Sequence, residues 1–70
     1  MPQVTIYGKD SCPYTNSARR DFAKRGYEVD YVDVRAKIHK LPEMLELSGG
    51  RRAVPVIVEN GQVTIGFGGH

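Results

Sequence analysis

Cys12 is the only cysteine in this 70-residue chain. It stands in Cys12-Pro13-Tyr14-Thr15, directly after the apolar run Val4-Thr5-Ile6-Tyr7 and before a helical pattern. The spacing therefore predicts a thiol at a strand-to-helix junction. A helix N-terminus carries unpaired N–H groups and about half a positive charge, and both favour a thiolate. The thiolate is the nucleophilic form of cysteine, whereas a free thiol with a pKa near about 8.5 is mostly protonated at neutral pH. A buried structural cysteine is the competing reading, but Pro13 at the helix start and Lys9 nearby favour a reactive one. Thr15 occupies the place where a resolving cysteine would stand, so no internal disulfide can form. Its hydroxyl is expected either to donate to the thiolate or to cap a backbone group. Tyr14 begins an apolar helical stripe. His39 and His70 are isolated and suggest no metal site.

The elements that must position Cys12 follow from the pattern. Val4–Tyr7 reads as a short buried strand and Gly8-Lys9-Asp10-Ser11 as a polar loop. Pro13 suits a first helical turn, where its missing N–H costs nothing. Tyr14, Ala18 and Phe22 give that helix an apolar stripe, and Gly26 ends it after Lys24 and Arg25. Residues 27–34 alternate imperfectly but are rich in β-branched and aromatic side chains, which predicts a strand. Ile38, Leu41, Met44 and Leu45 predict a second helix with Pro42 in its first turn, stopped at Gly49-Gly50. Val54–Val58 and Gln62–Ile65 are expected strands around Asn60-Gly61, a strong hairpin signal. The order is strand, helix, strand, helix, hairpin: an α/β fold with one parallel pair and an antiparallel edge.

Seventy residues make one small domain with a thin core, which one cysteine cannot staple. Single-cysteine usage fits a reducing compartment, and no signal-like or membrane-length apolar run is present, so the cytoplasm is expected. Ten basic and eight acidic side chains give a net charge of +2, too balanced to imply nucleic-acid binding. Arg19, Arg20, Lys24 and Arg25 read as a solvated helix face. Arg51 and Arg52, just before Ala53-Val54-Pro55, are the more suggestive pair.

Three segments in order, Ile6–Thr15, Arg51–Ile57 and Ile65-Gly66, make the chain resemble a glutaredoxin of the thioredoxin superfamily. The Gly66-Phe67-Gly68-Gly69 ending also resembles the short bacterial glutaredoxin-like proteins of the Uxx-star group, some of which carry selenocysteine at the position of Cys12. The resemblance implies a thioredoxin-like β-α-β-α-β-β fold with a mixed four-stranded sheet. Family members continue into a last helix that this sequence does not reach, so the expectation is either a truncated chain or another subunit covering the exposed apolar face. It also implies that Lys9 pairs with a glutathione carboxylate, that Tyr14 and Thr15 border the groove, and that Arg51 or Arg52 takes a second carboxylate. Val54-Pro55 matches the family's cis-proline pair, which presents its backbone to the substrate like an added strand. Gly68 and Gly69 match the turn whose backbone donors hold the γ-glutamyl carboxylate. Ala53 departs from the threonine often found there.

The implied activity is glutathione-dependent thiol–disulfide exchange through Cys12 alone, with glutathione as co-substrate and no permanently bound cofactor. Its partners would be glutathionylated proteins or small disulfides, with no nucleic acid and no membrane, and a dimer is possible. Two other readings stay open. One is an iron–sulfur cluster bridging two subunits through one cysteine each plus glutathione. The other is a non-catalytic redox sensor modified at Cys12.

Overall fold

The computed structural model describes residues 2–67. The chain runs β1 (Gln3–Gly8), α1 (Pro13–Lys24), β2 (Glu28–Asp33), a 3-10 turn (Ile38–Lys40), α2 (Leu41–Leu47), β3 (Val56–Glu59) and β4 (Gln62–Ile65). The sheet order is β2-β1-β3-β4. β1 and β2 are parallel, with Gln3 opposite Glu28 and Gly8 opposite Asp33, and α1 supplies the crossover that parallel strands require. β3 is antiparallel to both β1 and β4. The Asn60-Gly61 hairpin has φ of 51° and 75°, the doubly positive backbone that suits a two-residue turn between twisted strands.

Strand alternation sends β1 side chains to two cores. On the α1 side, Val4 and Ile6 pack with Ala18, Phe22 and Ile57. On the α2 side, Tyr7 packs with Val34, Met44 and Val56. Each large apolar side chain buried here contributes about 1.5–3 kcal/mol relative to exposure.

Several boundaries differ from the sequence expectation. The buried stripe of α1 is Thr15, Ala18 and Phe22, with Tyr14 only half-buried. The i, i+3, i+7 spacing from Thr15 meets the sheet, and a hydroxyl side chain takes the place where an apolar one was expected. Ile38 is 63% exposed, outside the second core. It lies in the 3-10 turn because α2 starts only at Leu41, with Pro42 in its first turn, where the absent N–H is harmless. β3 begins at Val56 rather than Val54, since Pro55 has no N–H to donate to a ladder. β2 covers residues 28–33 rather than 27–34; at its start the Tyr27 N–H goes back to the Phe22 carbonyl at the end of α1 instead of to the sheet. The α1-side sheet face is not bare: Ile57 is 4% exposed, and Phe67 packs against the cluster with its ring 6.5 Å from that of Phe22.

Candidate active site

Cys12 is the N-cap residue of α1, with extended backbone (φ −92°, ψ 116°), and Pro13 follows as the first helical residue. Its N–H donates to the Lys9 carbonyl at 3.1 Å and its carbonyl accepts from Asn16 N–H at 3.2 Å. The residue is 8% exposed. Burial pushes the thiol up. The Thr15 hydroxyl, the backbone N–H groups of Thr15 and Tyr14, and the Lys9 charge outweigh it, and the thiol is held below its ordinary value. The Thr15 and Tyr14 groups that lower it belong to the first helical turn, and a helix start favours a thiolate in this way.

Thr15 is fully buried. Its hydroxyl has no hydrogen-bond partner of full geometry, yet it is the strongest single influence favouring the Cys12 thiolate. A buried donor without a partner is costly. Ionisation of Cys12 offers it an acceptor, so the thiolate form relieves that cost.

Beside the Lys9 loop lies a cleft of about 200 Å³ whose lining includes three cations, Lys9, Arg35 and Arg52, and the apolar side chains Val34, Ile38, Leu41, Met44 and Val54. A larger groove of about 450 Å³ runs along α1 and β2 past Asn16, Arg19 and Tyr31, but its lining contains none of these cleft cations. The cleft therefore joins Lys9, Arg52 and Val54 of the residues singled out from sequence. Arg51 does not line it; its backbone carbonyl accepts the Ser48 hydroxyl at 2.6 Å and fixes the turn after α2. Pro55 is buried, the Val54–Pro55 bond is cis, and the Pro55 carbonyl accepts from Gly66 N–H at 2.7 Å. Gly68 and Gly69 lie outside the described residues.

Sequence reasoning missed the residues that hold the loop between β1 and α1. Asp10 receives the Tyr31 hydroxyl on Oδ1 at 2.8 Å and the Asn16 side-chain amide on its carbonyl at 2.9 Å. Arg19 lies 3.8 Å from the same carboxylate and stacks over the Tyr31 ring at 3.8 Å. Burial, then the Asp10 hydrogen bond, holds the Tyr31 hydroxyl above its ordinary value. Asp33 accepts three backbone N–H groups, from Asp10, Arg35 and Ala36. An Asp closing a strand and opening a turn is a recognisable Asx signal. Nothing in the local sequence marks Arg35 as a cleft residue.

The sheet order, the crossover helix and the thiol at the start of α1 define a thioredoxin-like fold of the glutaredoxin type. The Glutaredoxin family model matches residues 4–64, and the chain belongs to that family. It is similar in structure to the glutaredoxin (grx-1) from Archaeoglobus fulgidus, at 19% identity and a TM-score of 0.78, over 96% of this chain and 77% of that one. It is also similar to the glutaredoxin-like protein NrdH-redoxin from Escherichia coli, described for its thioredoxin-like activity profile. That match has 25% identity and a TM-score of 0.75, over 93% of this chain and 83% of that one. No curated protein sequence matches significantly. The scaffold is that of glutaredoxin-family thiol oxidoreductases. Among the described residues, no helix is long and apolar enough to cross a membrane.

Proposed function

We propose that the protein is a glutathione-dependent thiol–disulfide oxidoreductase working by a monothiol route in the cytoplasm. The observation that carries the reading is the backbone link between an activated thiol and a cationic cleft: Cys12 N–H is bonded to the carbonyl of Lys9, which lines the cleft with Arg35 and Arg52. Glutathione presents two carboxylates around one sulfur. A cleft with three cations and an apolar lining suits that ligand better than a neutral disulfide.

In the first step the Cys12 thiolate attacks the glutathione sulfur of a mixed disulfide. The new sulfur–sulfur bond forms as the old one breaks, and the substrate leaves as a thiolate that takes a proton from solvent. A second glutathione thiolate then attacks the glutathione sulfur on Cys12, yielding oxidised glutathione and the starting thiolate. Both steps need one cysteine only. Thr15 closes the dithiol route, so a thioredoxin-like profile such as that described for NrdH-redoxin would require a resolving thiol from outside this chain.

The iron–sulfur reading has less support. The described residues contain no group of three or more His, Cys, Asp or Glu able to hold a metal ion, so that reading keeps only its two-chain form, with Cys12 from each chain and glutathione, and no structural observation favours it over the exchange reaction. The test of the main reading is intact mass after incubation with oxidised glutathione, followed by turnover with a glutathionylated peptide. One glutathionyl adduct on Cys12, its removal by glutathione and loss of both in Cys12→Ser are expected. Full activity in Cys12→Ser, or turnover with other thiols but not glutathione, refutes it.

A further inference from the structure

Both cations at one end of the cleft sit on loops rather than on regular elements. Lys9 follows β1, and Arg35 follows β2. Loop side chains are poor anchors unless the backbone beneath them is fixed. Here one side chain fixes both backbones. Asp33 ends β2 directly opposite Gly8, the last residue of β1. Its Oδ1 accepts Arg35 N–H at 2.9 Å and Ala36 N–H at 3.0 Å, while Oδ2 accepts Asp10 N–H at 3.3 Å across the sheet. The Gly8 carbonyl accepts Val34 N–H at 2.9 Å, so Lys9 lies between two cross-loop bonds.

We propose that Asp33 is the positioning residue of the cleft: its single carboxylate fastens the loop carrying Lys9 to the loop carrying Arg35, and so sets the spacing of two cations that grip the substrate's carboxylates. The inference rests on the glutathione reading above and deepens it. Asp33 touches neither the thiol nor, in this scheme, the substrate. It acts through the backbone on which Lys9 and Arg35 stand.

Substitution by asparagine separates positioning from charge because the two predict opposite signs. Removing a negative charge from the loops that carry Lys9 and Arg35, by Coulomb's law alone, strengthens binding of an anionic ligand. Loss of the cross-loop bond weakens it. An asparagine can still turn its oxygen to Arg35 and Ala36, but its NH₂ then faces the Asp10 N–H, donor against donor.

The experiment follows single-turnover release of 2-thiopyridone from its mixed disulfides with glutathione and with neutral 2-mercaptoethanol. For Asp33→Asn, the half-saturating concentration of the glutathione disulfide should rise about tenfold with a smaller change in maximal rate, a size typical of a displaced binding group. The preference for glutathione over mercaptoethanol should fall with it. In a Lys9→Ala background the same change should add less than about twofold, since coupled positions are non-additive. Tighter glutathione binding in Asp33→Asn, equal loss with both disulfides, or effects that multiply with Lys9→Ala overturns the inference alone. A wild-type protein with no glutathione preference and no Lys9→Ala effect overturns the glutathione reading and this inference with it. Should Asp33→Asn fail to fold, amide exchange in the wild type decides: Asp10 N–H must exchange about tenfold or more slowly than that of its neighbour Ser11, and equal rates refute the fastening.

Discussion

The Thr15 side chain occupies the space where a β-carbon on Gly8 would stand: such a carbon would lie 2.5 Å from Thr15 Oγ1 and 3.0 Å from its Cβ. The last residue of β1 is therefore a glycine so that α1 can seat a branched hydroxyl side chain beneath the thiol. Gly8→Ala should destabilise the protein by about 1–3 kcal/mol, the usual cost of overpacking a close contact. Thr15→Ala should recover much of that loss in the double variant, because it removes the clashing atoms. Urea unfolding of the four proteins measures it, and purely additive effects would show that the two positions do not compete for this space.

Thr15 also bears on the thiol. Thr15→Val keeps the branched shape but removes the hydroxyl that favours the Cys12 thiolate. The Cys12 pKa should rise toward its ordinary value. Alkylation by iodoacetamide at a pH below it should then slow, because the thiolate fraction falls roughly tenfold for each whole unit by which the pKa rises. Above the ordinary thiol pKa the variant should lose stability, because the folded state no longer favours the thiolate. Below the folded pKa that loss vanishes, and removal of a buried hydroxyl should be neutral or stabilising. Thr15→Ser, which keeps the donor, should retain the low pKa. The pH profile of thiolate absorbance reads both variants.

The contrast between Cys12 and Asp33 shows where sequence reasoning reached its limit. Cys12, Pro13 and the Asn60-Gly61 turn are local signals, because helix starts and tight turns are decided by neighbours in the chain. The strand and helix order followed from hydrophobic periodicity for the same reason. Gly8, Asp10, Tyr31 and Arg35 act through contacts between β1, α1 and the segment after β2, and no spacing along the chain encodes these. Thr15 takes the buried position that the apolar stripe gave to Tyr14, because the helix phase relative to the sheet, not apolarity alone, decides which face is buried.

Tyr7 gives a test at alkaline pH. Burial first, then the hydrogen bond it donates to Glu43 and the Glu43 charge, push its pKa to about 12. A folded-state pKa above the unfolded value of 10.0 makes a contribution to stability that is whole below pH 10 and is lost as pH rises through about 12. Tyr27 and Tyr31 are raised in the same direction, so the decline should be shallower, not absent, in Tyr7→Phe. Unfolding midpoints between pH 9 and 12 compare the two proteins, and parallel curves would remove Tyr7 from the account.

The cleft cations should separate by function. Lys9 both lines the cleft and lowers the thiol pKa, whereas Arg35 and Arg52 line the cleft and are not among the groups that lower it. Lys9→Ala should therefore raise KM for a glutathionylated substrate and also raise the Cys12 pKa. Arg35→Ala and Arg52→Ala should raise KM about three- to tenfold, as expected for loss of a partly exposed ionic contact, and leave the thiol pKa in place. Salt should reproduce part of the arginine effect in the wild type, because about 1 M ionic strength shortens the screening length to roughly 3 Å. Steady-state kinetics at two salt concentrations, set beside alkylation pH profiles, distinguish the two classes. Equal rises in thiol pKa in all three variants would mean that the thiol responds to the net charge of the cleft and not to the lysine whose carbonyl holds its N–H.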